Sequence, residues 1–245
     1  MRRRALCCLF AGGVCLCAPL MASAAVPSET SETGQGIWIS RAEVMALPDH
    51  GPAWDALVAQ AQKPISPNLS DQNDPSNVRV LARSLVAVRT GSAQAREEAL
   101  RALEKVQGTE AGARSLSVSR ELMAYVIAAE LVGLDGAQRD KFEIWLRAVC
   151  EQDFKGRTLR STHEDRPNNW GTHAGASRLA VAIYLDDREE IEKAAWVFRG
   201  WTGDITGWHE FKFGERWWQP ENATRNYGIN PVGARISSQP VGGVL

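Results

Sequence analysis

Three paired helical segments, beginning near Ser76, Ser117 and Asn168, recur at spacings of 41 and 51 residues. In the first pair, Val78, Leu81, Leu85 and Val88 share one face at helical spacing. Thr90-Gly91-Ser92 then breaks the chain before a second helix over 93–106, with Leu100, Leu103 and Val106 on its apolar side. The second pair opens with a helix over 122–134 that is apolar almost all round, the mark of a helix buried on several sides. It turns at residues 133–136 into Phe142, Ile144, Trp145, Leu146 and Val149. The third pair runs from about Asn169 to Leu185, turns at Asp186-Asp187 and returns through Ile191, Ala194, Val197 and Phe198. One helix of each pair is more apolar than its partner. Stacked hairpins with an inner and an outer helix describe an all-α fold, an α/α toroid or incomplete barrel. A plain bundle does not explain that alternation.

The flanks add two further helices and one irregular region. Ser40-Arg41-Ala42-Glu43 is a capping box, opening a short helix that stops before Pro48. Gly51-Pro52 leads a second, carrying Trp54, Leu57 and Val58, which ends before Pro64. After Gly200 no helical period survives. Trp201, Trp208, Phe211, Phe213, Trp217, Trp218 and Tyr227 are interleaved there with Gly, Asp, Glu and Lys. A long aromatic loop of this kind is commonly functional. The last residues, 236–245, show no capping signal or terminal helix, which predicts a C-terminally truncated domain.

The N-terminus reads as a cleaved secretion signal over 1–25. Arg2, Arg3 and Arg4 precede an apolar run from Ala5 to Leu20, and Ala22-Ser23-Ala24 supplies an A-x-A-like site. The run is short for a membrane span. Residues 26–36 then form a flexible linker, leaving 37–245 as the domain. The leader predicts a secreted protein, periplasmic in location and free of the membrane once cut. It also removes four of the five Cys, so Cys150 remains alone and neither an intrachain disulfide nor a Cys-based zinc site is open. Cys150 lies in an apolar helical pattern and reads as an inert thiol. Residues 1–25 hold three Arg and no acid; the remainder carries 25 basic and 29 acidic side chains, a formal charge of −4. That balance speaks against a dedicated nucleic-acid binder. No cofactor and no obligate protein partner are expected. Nor is a metal, because His50, His163, His173 and His209 show no ligand spacing.

The segment His163-Glu164-Asp165-Arg166-Pro167-Asn168-Asn169-Trp170-Gly171-Thr172-His173-Ala174-Gly175 carries the chemistry. Pro167 and the paired Asn make a helix start, with Asn168 or Asn169 as the cap. Asn169 and His173 are four residues apart and share a face if both are helical. Gly171, Ala174, Gly175, Ala176 and Ser177 are small and leave room for something to approach. With Trp170, Arg166 and Arg178 nearby, the set suits an anionic, ring-shaped ligand. Residues 153–178 hold five cations against three acids, a local surplus on an acidic chain that would draw a polyanion in.

The stretch from Pro167 to Gly175 resembles the catalytic-helix motif of the alginate lyase domain family, helical-toroid polysaccharide lyases of the alginate and glucuronan type. Trp38-Ile39-Ser40-Arg41, Gly51-Pro52-Ala53-Trp54, Ala128-Ala129-Glu130, Phe198-Arg199-Gly200-Trp201 and Gly228-Ile229-Asn230-Pro231 are similar to the same group, so the resemblance spans roughly 37–245. It implies β-elimination on a β-1,4-linked polyuronide, with Asn169 neutralising the uronate carboxylate and His173 assisting or acting as base. Asn168, Trp170, Arg166, Arg178, Trp208, Trp217 and Tyr227 would then contact the anionic polysaccharide. Poly(mannuronate) lyases carry His directly after the paired Asn, whereas Trp170 holds that place here. The family's Tyr and Arg lie further along, which places them past Leu245 in a longer chain. An α/α-toroid glycoside hydrolase is the rival enzyme; it needs two opposed carboxylates, and Glu164 and Asp165 are adjacent on one loop. A secreted carbohydrate-binding helical module without catalysis is the other alternative.

Overall fold

The computed structural model describes residues 36–201, apart from Pro167 and the side chains of Asp165 and Trp201. The leader, most of the linker, Trp208, Trp217 and Tyr227 lie outside the described residues. Within them the chain is all-helical: α1 (Arg41–Ala46), α2 (Pro52–Ala61), α3 (Ser76–Thr90), α4 (Ala93–Val106), α5 (Ser115–Val132), α6 (Gly136–Glu151), α7 (Leu159–Asp165), α8 (Asn169–Tyr184) and α9 (Arg188–Trp201). The caps follow from the sequence. Ser40 and Glu43 close a reciprocal capping box on α1. Ser92 caps α4 by accepting from the Ala95 N–H, and Asp135 caps α6 by accepting from Gln138. Gly91 ends α3 in the left-handed region (φ 67°), where a residue without Cβ carries no penalty.

The first helices of the three hairpins, α3, α5 and α8, pack side by side with α5 in the middle; α4 lies on α3 and α5, and α9 on α8. This is the inner-and-outer arrangement the alternating helices call for, and it is compatible with a toroid. Central α5 buries fourteen of its eighteen residues, which is why it lacks an amphipathic stripe. α6 enters the same core through Phe142, Trp145, Leu146 and Val149, beside Ala180 and Val181 of α8. Phe142 meets Tyr184 edge-on at 5.6 Å. A smaller cluster of Val44, Val88, Ile127 and Leu131 ties α1 to α3 and α5. Arginines from neighbouring elements satisfy the orphan carbonyls at helix ends. Arg96 donates to Val132 (2.8 Å) and Gly133 (2.7 Å), Arg41 to Leu131, and Arg83 to Ala61. Cys150 is half-buried, and burial followed by the charge of Glu190 pushes its thiol up to about 12, so it is inert as a nucleophile at neutral pH.

Candidate active site

The start of α8 resolves the two asparagines into different roles. Asn168 is the N-cap: its Oδ1 accepts from the Trp170 N–H at 3.0 Å. Its carbonyl accepts from both the N–H (2.9 Å) and the hydroxyl (3.0 Å) of Thr172. Asn169 is thereby held in the first turn, exposed, and its amide has no hydrogen-bond partner among the described residues. His173, one turn on, is half-buried and shares that face. Burial, and then the positive charge of Arg120 on α5, hold its imidazole below the ordinary value, so at neutral pH it is uncharged. A free amide donor and a neutral imidazole therefore stand one turn apart. Trp170 is half-buried, with the Arg166 guanidinium 4.9 Å from its ring centroid, so these two candidates stack on each other.

Arg178 does something other than bind substrate. It is 2% exposed. Its Nε donates to Glu190 of α9 at 2.8 Å, and its Nη1 to Glu164 of α7 at 3.0 Å and toward His163 Nδ1 at 3.3 Å. A substrate cannot reach a guanidinium so enclosed. Arg160 joins the network, bridging Glu190 (2.9 Å) and Glu151 (3.1 Å). Burial alone would raise the Glu190 carboxyl, but the hydrogen bonds and charges of Arg178 and Arg160 outweigh it and hold it below the usual carboxylate range. Arg160 and Arg178, two of the five cations over residues 153–178, are thus taken up by internal ion pairs. Glu164, the described half of the hydrolase pair, is bound to Arg178 in the same network.

The small residues of α8 also have protein neighbours. A Cβ on Gly175 would lie 2.6 Å from Nε2 and 2.7 Å from Cδ2 of His163, so the space at Gly175 is filled by that ring. His163 is 2% exposed; burial first, and Arg178 second, hold its imidazole well below the ordinary value. Ser177 Oγ donates to the Ser119 carbonyl (2.7 Å) and accepts from the Met123 N–H (3.1 Å). Those two α5 groups are the i and i+4 partners that a helix ordinarily pairs with each other, so one hydroxyl is set into the α5 ladder and fixes the two inner helices together.

Sequence reasoning missed three parts of this arrangement. Helix α7 is one; its signal was Thr158 and Ser161, which form a capping box with Ser in place of the usual Glu or Gln. The others are Arg120 and Ser177, whose roles depend on contacts across more than fifty residues. Among the described residues, no group of three or more His, Cys, Asp or Glu could hold a metal ion, and no helix is long and apolar enough to cross a membrane.

The inner row of helices thus carries Asn169 and His173 together on one face of α8. In comparison with known families, the alginate lyase family model matches residues 82–208, just over half of the chain and all of the α5–α8 seam. The chain belongs to the alginate lyase family. No curated protein and no solved structure gives a match.

Proposed function

We propose that this protein is a secreted, periplasmic lyase that cleaves a β-1,4-linked polyuronide, alginate, polymannuronate or glucuronan, by β-elimination. The observation that carries the reading is the free Asn169 amide one turn from the neutral His173 imidazole, inside the family match. The C5 proton of a uronate is barely acidic while the adjoining carboxylate is charged. Asn169 donates hydrogen bonds to that carboxylate and stabilises the charge that develops on it when the proton leaves; its amide has no charge to titrate. His173 assists, taking the C5 proton on its uncharged ring. The electron pair from C5 forms the C4–C5 double bond, the C4–O4 bond breaks, and the departing O4 gains a proton from water. Arg166, Trp170 and the nitrogen of Asn168 stand beside this pair as sugar contacts.

Ultraviolet absorbance of the conjugated double bond, measured on alginate, polymannuronate and glucuronan, tests this directly. The signal should rise with wild type and fall about 100-fold or more with Asn169→Ala. The acid limb of kcat/KM should lie below the ordinary imidazole range, because His173 resists protonation. New reducing ends without the double bond would establish a hydrolase instead. Polymer binding with neither product would leave a carbohydrate-binding module.

A further inference from the structure

We propose that Arg120 is a substrate-binding residue of this site, holding a uronate carboxylate beside His173 and making the site selective for anionic over neutral sugar chains. The proposal rests on the lyase reading above and adds a residue that neither the motif nor the family match singles out. Along α5 from Ser117 to Ala129, only Arg120 and Met123 are exposed; every other position is buried. A cation at one of the two open positions of a central helix has no packing role to explain it, and Arg120 makes no ion pair among the described residues.

Its place relative to the site is fixed from both sides. Ser177 bonds to Ser119 and to Met123, the residues that bracket Arg120 on α5. Ser177 in turn lies one α8 turn beyond His173, so the α5 residues it grips and the α8 face bearing Asn169 and His173 are neighbours. The charge of Arg120 acts on the His173 ring accordingly. The chemistry needs such a group, since Asn169 and His173 are both neutral while every unit of the polymer is an anion. Arg178 and Arg160 are locked in the Glu190 network, and Arg166, stacked on Trp170, lies ahead of α8 at the Asn169 end of the site, a full helical turn from His173. A guanidinium stays charged at all working pH values and can bind a carboxylate through two parallel hydrogen bonds.

The test uses Arg120→Gln and Arg120→Lys in the whole chain. The probes are saturated oligomers of mannuronate and glucuronate, with carboxyl-reduced oligomers as neutral controls. Calorimetry and elimination kinetics should show Kd and KM for the anionic oligomers raised about 10–100-fold in Arg120→Gln, with kcat changed less, weak binding of the neutral oligomers unchanged, and partial recovery in Arg120→Lys. In an NMR titration, the His173 imidazole should move up when the neighbouring cation is removed. Unchanged Kd and KM in Arg120→Gln, with wild type active, would overturn the proposal and leave the lyase reading standing. Equal losses for anionic and neutral oligomers would also overturn it. A wild-type chain that neither binds nor cleaves any uronide would remove the lyase reading and this one with it.

Discussion

The seam between α5 and α8 and the wedge of α7 between α8 and α9 both bury polar groups, by opposite means. The seam is neutral: Ser115, Ser117, Ser119 and Ser177 are all at most 2% exposed, and the hydroxyls of Ser117, Ser119 and Ser177 bond to backbone groups of α5 or its cap. The wedge is ionic: Arg178, Glu190, Glu164, Arg160 and the uncharged His163 share one network. Serine hydroxyls let two inner helices approach closely at little desolvation cost, which suits the proposed site of Asn169, His173 and Arg120. The ion pairs do not touch that site; they anchor the back of α8. The proposed site and the anchoring network thus lie on opposite faces of one helix, and substitutions on the back should cost stability before they cost chemistry.

The largest effect is expected at Arg178. Arg178→Met removes the central cation and leaves Glu190 and Glu164 short of a partner in a water-poor setting. Destabilisation of about 3–5 kcal/mol is expected in chemical denaturation, with the residual activity per folded molecule nearly preserved. A loss under about 1 kcal/mol would mean that water already solvates the network, and the contrast between seam and wedge would fail. A smaller effect of uncertain sign on general grounds belongs to Gly175. Helix propensity alone favours Gly175→Ala by up to about 1 kcal/mol. Here the new methyl meets the His163 ring well inside contact distance, and that ring is buried, so overpacking should win and the variant should lose about 1–3 kcal/mol. Calorimetric melting of Gly175→Ala with and without His163→Ala decides it: the second change should relieve most of the first, and additive losses would place the strain elsewhere.

Much of this molecule is legible in its sequence, and the exceptions share one cause. Helices α4 and α8 begin where their caps predict, because Ser92 and Asn168 act locally on the residues two or three positions on. α5 begins at Ser115, several residues before its apolar pattern becomes visible. Serines are weak helix formers, and their place in a helix is set by tertiary burial and by bonds such as that from Ser119 to the Ser115 carbonyl. Arg178 reads as a surface cation because its partners, Glu164 and Glu190, lie 14 residues before it and 12 after, on two other helices. The Asn169 and His173 face follows from periodicity; its Arg120 neighbour does not, since nothing local links residue 120 to residue 173.

The comparison sharpens at two carboxylates. Glu190 sits in the wedge between two arginines and is held below the usual range, whereas Glu121, 3% exposed on α5, has a buried Oε2 with no hydrogen-bond partner among the described residues. Burial, reinforced by Asp74 and Asp71 and only partly opposed by Arg120, pushes the Glu121 carboxyl up to about 8. A carboxyl raised by folding contributes its full stability below its ordinary value, near 4.5, and loses it as the pH climbs toward 8. Glu190 does the reverse, stabilising at neutral pH and failing as acid protonates it. Glu121→Gln removes the titration while keeping the shape. The variant should match wild type near pH 4 and exceed it by about 1–2 kcal/mol near pH 9, read as unfolding midpoints in urea across that range. A gain that does not vary with pH would show that folding does not shift the Glu121 carboxyl at all. A loss at alkaline pH would show that its charge is paired after all, and that the seam, like the wedge, carries a working ion.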